Sequence, residues 1–181
     1  MIIRRDIHLN RLKNRMHNGM IKVITGIRGS GKSFLLRTLF REYLLSSGVS
    51  GDHIVSVDLE ASGNSALRDP DALLCYIDSH MKPWGMNYIL LDEIRLVPEF
   101  EDVLNSFAGK PGADVYVTGR SASRLSGNVI TEFRGRGDES RIAPLSFSEF
   151  CSVRDGSRDE LLREYMTQTS QFLNYLTHCF I

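Results

Sequence analysis

Ile21-Lys22-Val23-Ile24-Thr25-Gly26-Ile27-Arg28-Gly29-Ser30-Gly31-Lys32-Ser33-Phe34-Leu35-Leu36-Arg37-Thr38-Leu39-Phe40 decides the fold. The apolar run Ile21–Thr25 reads as a short buried strand. The run Phe34–Phe40 reads as a helix. Between them stands a complete G-x-x-x-x-G-K-[ST] pattern, Gly26 to Ser33. Strand, glycine-rich loop and helix in this order make a phosphate cradle. Glycines let the backbone wrap close to a polyphosphate, and the helix N-terminus adds partial positive charge. Gly26, Ile27, Arg28, Gly29, Ser30, Gly31, Lys32, Ser33 and Phe34 are therefore the candidate nucleotide-binding segment. Lys32 is placed to reach the outer phosphates, and Ser33 to offer its hydroxyl to Mg²⁺. Arg28 reads as facing solvent or a phosphate edge.

The rest of the chain alternates strands with helices. Arg4–Asn18 is expected to be helical, with Ile7, Leu12 and Met16 as its apolar edge. Strands are expected at Met20–Thr25, His53–Leu59, Tyr88–Asp92 and Ala113–Thr118, with a fifth at the edge over Ser140–Leu145. Helices are expected at Lys32–Ser46, Asp69–Met81, Pro98–Phe107, Ser121–Leu125, Ser146–Val153 and Arg158–Phe180; Arg134–Ser140 reads as a loop. Such alternation means a parallel sheet covered by helices on both faces, with ligands bound outside the carboxyl ends of its strands.

The loop, Asp92-Glu93 and Thr118 all fall at such ends. Asp92 is the candidate second metal contact opposite Ser33, and Glu93 the candidate base that polarises an attacking water. Thr118 either hydrogen-bonds the γ-phosphate or the water, or caps a helix at Ser121. Arg134 and Arg136 either supply an arginine finger, in cis or from a neighbouring subunit, or form a solvated basic loop. No N-K-x-D guanine-reading motif occurs, so the nucleotide is expected to be ATP.

Composition bounds the remainder. The chain has 181 residues, 42% apolar and 24% charged, with 22 basic and 22 acidic side chains. Zero net charge gives no support to a dominant nucleic-acid surface. Cys75, Cys151 and Cys179 form no C-x-x-C pair and read as reduced thiols. No run has the length and apolarity of a membrane span or a signal core, and a cytoplasmic location is expected.

The chain resembles the AAA-type P-loop ATPases of bacteria and archaea in which this core precedes a C-terminal domain of unclear role. The resemblance covers about Ile3 to Met166. It rests on Ile24–Ser33, Ile89–Ile94, Val115–Gly119, Arg134-Gly135-Arg136 and Pro144-Leu145-Ser146-Phe147-Ser148-Glu149-Phe150. It implies an α/β three-layer sandwich whose five-stranded parallel sheet has the order 5-1-4-3-2. It also implies ATP binding by Gly29, Gly31, Lys32 and Ser33, metal contact by Asp92 and a catalytic role for Glu93. Two features depart from the pattern. Arg120 stands where a small polar residue is usual, and Thr167–Ile181 stops looking familiar. The domain expectation is thus an ATPase core over 1–157 and, over 158–181, a helical tail that begins a missing second domain. The expected function is Mg²⁺-dependent ATP hydrolysis coupled to a protein partner or a second copy. The alternatives are a small-molecule kinase and a binding module with little turnover.

Overall fold

The computed structural model describes residues 3–107, 110–120 and 137–179. They separate into two compact units, one lying within residues 6–144 and the other within residues 1–5 and 145–181.

The larger unit is built on five parallel strands: β1 (Ile21–Gly26), β2 (Ile54–Asp58), β3 (Asn87–Asp92), β4 (Ala113–Arg120) and β5 (Gly137–Arg141). Their spatial order is β2-β3-β4-β1-β5, the expected 5-1-4-3-2. Side chains alternate across each strand, so one strand feeds two cores. On one face Val23, Ile89, Leu91, Val115 and Val117 meet helices α3 (Pro70–His80) and α4 (Phe100–Phe107). On the other, Ile24, Leu90 and Tyr116 meet α1 (Asp6–Lys13) and α2 (residues 32–46). Helix α2 runs continuously through Lys32–Phe34, Leu35–Phe40 and Arg41–Ser46, and its middle segment is wound as a π-helix.

Asp69 caps α3. Its side chain accepts the Ala72 N–H at 2.9 Å, and Pro70 occupies the first turn. Short 3₁₀ turns over Ser62–Arg68 and Ile94–Leu96 follow the carboxyl ends of β2 and β3.

Three sequence expectations are corrected. The fifth strand covers Gly137–Arg141, not Ser140–Leu145, and Pro144 lies outside it. Gly137-Asp138-Glu139 has poor strand propensity; pairing with β1 overrides it, helped by Arg15, whose Nη1 lies 3.0 Å from Asp138 Oδ1 and 2.7 Å from Glu139 O. Strand four runs two residues past Thr118, because Gly119 and Arg120 find register partners in Thr25 and Gly26. The first helix is shorter than Arg4–Asn18, since Arg5 and His17 take left-handed φ of 47° and 59°; of its expected apolar edge Leu12 is buried while Ile7 stays 68% exposed.

In the smaller unit, Ser146 and Glu149 form a reciprocal capping box at the start of α5 (Phe147–Cys151). Glu149 also receives the buried Arg5 guanidinium at 3.1 Å. Tyr165, on α6 (Arg158–Cys179), stacks edge-on against Phe147 and donates its hydroxyl to Leu145 O at 2.8 Å. Among the described residues no helix is long and apolar enough to cross a membrane.

Candidate functional site

Parallel strands put the carboxyl ends of β1, β2, β3 and β4 on one edge, and the candidate residues gather there. The glycine-rich loop leaves β1 at Gly26. A Cβ at Gly26 would lie 2.5 Å from Ile142 O and 2.8 Å from Ser30 Oγ, so the loop closes only over a residue without a side chain. Gly31, at φ 88° and ψ 20°, is the left-handed residue that turns the loop into α2. Lys32 is buried, and its ammonium donates to the carbonyls of Gly26 and Ile27 at 2.9 and 3.0 Å. These contacts hold the cation over the loop itself, where a polyphosphate would need it. Arg28 is exposed, in keeping with the solvent-facing reading. Ser33 and the partly exposed Phe34 line a cleft of about 490 Å³ with Arg37, Thr38, Arg41 and Ser56.

Asp92 ends β3 and is buried. Glu93 follows in a left-handed conformation, φ 55° and ψ 50°, with 9% of its surface exposed. A non-glycine residue held there stores about 1 kcal/mol or more of backbone strain. One side chain secures the pair. Thr118 donates its hydroxyl to Asp92 Oδ1 at 2.5 Å and accepts the Glu93 N–H at 2.8 Å. The Thr118 hydroxyl thus binds the two acid-bearing residues together, and the helix at Ser121 that it was weighed as capping lies outside the described residues. Arg134 and Arg136, the candidate fingers, and the expected helix Ser121–Leu125 lie outside the described residues.

Sequence reasoning missed two residues at this edge. Arg37 extends Nη1 to Asp58 Oδ2 at 2.5 Å and lies 3.6 Å from Asp92 Oδ2. A signal existed, because residue 37 follows Ser33 by four, one helical turn on the same face. Asp58 ends β2 as Asp92 ends β3, and the two are register partners.

The donor set suits a nucleotide polyphosphate and Mg²⁺. A loop that tolerates no Cβ at Gly26 brings backbone close to phosphate, Lys32 supplies a buried cation, and the Ser33 hydroxyl and Asp92 carboxylate are hard oxygen ligands. Among the described residues no group of three or more His, Cys, Asp or Glu forms a separate metal cluster.

Comparison with known proteins agrees with this layout. The family model described as AAA domain matches residues 18–151. An uncharacterised protein of Haemophilus influenzae is 34% identical over 170 residues, covering 91% of this chain and 42% of that protein. The uncharacterised protein MJ1544 of Methanocaldococcus jannaschii is 27% identical over 176 residues, covering 97% of this chain and 36% of its own length. The chain therefore spans less than half the length of these relatives. Two solved structures share the fold: a DNA polymerase III gamma subunit-related protein of Thermotoga maritima (TM-score 0.57, 15% identity, 86% of this chain and 54% of that one) and the Aeropyrum pernix Orc1 protein in complex with DNA (TM-score 0.54, 14% identity, 91% and 50%). With the sheet order, the phosphate loop and most of its length in agreement, the chain belongs to the AAA domain family and carries that family's P-loop ATPase core.

Proposed function

We propose that this protein binds ATP with Mg²⁺, hydrolyses the γ-phosphate and couples its nucleotide state to a protein partner or a second copy of itself. The observation that carries the reading is the Thr118 hydroxyl joining Asp92 to the strained Glu93 on the sheet edge that also carries the phosphate loop. A base that activates water must be held rigidly, and a left-handed backbone secured by a buried hydrogen bond does so.

Lys32 would hold the outer phosphates, and Gly29 and Gly31 would let the loop backbone approach them. Ser33 and Asp92 would hold the metal, which when bound neutralises phosphate charge. Glu93 would accept the proton of the attacking water. Its tandem position with Asp92 favours hydrolysis over kinase chemistry, because a kinase must keep water from the γ-phosphate. Arg134 or Arg136 would complete the charge stabilisation. One fold relative was solved with DNA; at 14% identity it shares only the fold, and the neutral charge of this chain adds no support for a nucleic-acid partner.

The test is ATP turnover with Mg²⁺, measured beside nucleotide affinity, in the parent and in Glu93→Gln. The expected outcome is retained ATP binding with turnover reduced by about a hundred-fold or more. Equal turnover in both would remove Glu93 from the role, and absence of nucleotide binding in the parent would end the reading.

A further inference from the structure

Asp58 and Asp92 stand side by side at the ends of β2 and β3, and Arg37 reaches both from α2. The two acids are held differently. Asp58 Oδ1 accepts the backbone N–H groups of Glu60 and Ala61, at 3.0 and 3.3 Å, which fixes the carboxylate and turns Oδ2 towards Arg37. Asp92 Oδ1 takes the Thr118 hydroxyl, which leaves Oδ2 as the oxygen facing Arg37. The guanidinium sits closer to Asp58, at 2.5 Å against 3.6 Å.

Among these three groups, two carboxylates and one guanidinium sum to one negative charge, and Arg37, within ion-pair distance of both acids, lies nearer Asp58, which leaves Asp92 the less neutralised of the two. We propose that Asp58 is a positioning residue for the metal: by holding Arg37, it keeps Asp92 Oδ2 available to the divalent cation of the nucleotide complex. The proposal rests on the metal role assigned to Asp92 above. Its physical content is a competition. Without the charge on Asp58, these three groups sum to zero, Arg37 closes from 3.6 Å onto Asp92, and a tighter ion pair occupies the oxygen that a cation needs. Without Arg37 as well, Asp92 recovers its free charge. A second substitution therefore restores what the first removes, and a merely structural role for Asp58 does not predict that.

The experiment measures ADP affinity by calorimetry across a Mg²⁺ titration and in chelator, for the parent, Asp58→Asn, Arg37→Met and the double variant. Asn keeps an oxygen for the Glu60 and Ala61 N–H groups, so the turn is retained. Asp58→Asn is expected to raise the Mg²⁺ concentration for half-effect about five-fold, the scale of a partly exposed ion pair, with ADP affinity in chelator unchanged. Arg37→Met is expected to match the parent or bind Mg²⁺ more tightly. The double variant is expected to return to within about two-fold of Arg37→Met. A parental Mg²⁺ response in Asp58→Asn, a double variant as impaired as Asp58→Asn, or weaker Mg²⁺ binding in Arg37→Met alone would each overturn the proposal. The last readout needs no Asp58 variant to fold. If Mg²⁺ leaves ADP affinity untouched in the parent, the metal role of Asp92 fails and this proposal with it. If the parent responds and Asp58→Asn does not differ, this proposal alone fails.

Discussion

At the residue scale, Gly26 shows how a motif letter becomes a steric requirement. A methyl group there meets a backbone carbonyl at 2.5 Å, a separation that carbon and oxygen do not tolerate, and Ile142 is anchored by its own N–H to Thr25 O at 2.7 Å. The neighbour cannot yield cheaply. Gly26→Ala is therefore expected to distort the loop, lowering nucleotide affinity by at least about ten-fold, together with a stability loss of about 1–3 kcal/mol. Calorimetric ADP titration and urea denaturation check the two effects separately. Thr118 makes a complementary point. Its hydroxyl is used twice, as donor to one acid and acceptor from the next residue, so one side chain fixes both acid-bearing residues.

At the element scale, helix ends carry the informative electrostatics. Burial pushes the Glu149 carboxyl up, but the Ser146 N–H, the Arg5 guanidinium and the Ser146 hydroxyl outweigh it and leave its pKa below the usual carboxylate value. The ionised form is thus bound better in the folded state. Its stabilisation is fully present above the unfolded-state pKa of about 4.3 and is lost as pH falls through the lower folded-state value. In chemical denaturation between pH 5 and 3, the parent is expected to lose more stability than Glu149→Gln, by under about 1 kcal/mol because the pair is partly exposed. Equal acid sensitivity in both would show that the capping box and Arg5 add nothing through charge. The helix after the phosphate loop carries a different device. Its π-wound segment includes Arg37, the residue that links it to the ends of β2 and β3.

At the scale of the molecule, the sheet carries the candidate site at one end and a buried polar network at the other. At the amino ends of β1 and β4, fully buried Lys22 forms an ion pair with buried Asp114 and lies 5.1 Å from the Tyr116 ring centre. Asp114 also accepts the Tyr116 hydroxyl at 2.8 Å and the His17 N–H at 3.1 Å, while His17 Nε2 meets the Tyr88 hydroxyl at 2.8 Å. Burial first, and Asp114 second, hold the Tyr116 hydroxyl protonated far above its ordinary range. Breaking such a pair leaves an uncompensated buried charge. Lys22→Met is expected to cost about 3–5 kcal/mol in denaturant unfolding. Nucleotide affinity, measured at low temperature where the variant stays folded, is expected to remain at the parent value, since the network sits at the opposite end of the strands from the phosphate loop. A loss of affinity in the folded variant would show that the two ends are coupled.

The local sequence determined the strand–loop–helix, the acid-tipped strand, the Asp69 cap and the alternation that makes the sheet parallel, because each depends on neighbours within a few residues. The sheet order came with the family resemblance, carried by motifs spread from the phosphate loop to Phe150. Tertiary structure alone decided where the fifth strand lies, since Gly137–Arg141 becomes a strand only by pairing with β1. It also decided what Thr118 does and which residues surround Asp92. Thr118, Asp92, Asp58 and Arg37 are separated by up to 81 positions along the chain and meet only near the carboxyl ends of the parallel strands, where Arg37 reaches in from α2. Pairing across strands is a long-range property; the hydrogen bonds and charge balance it creates are visible only once the chain has folded.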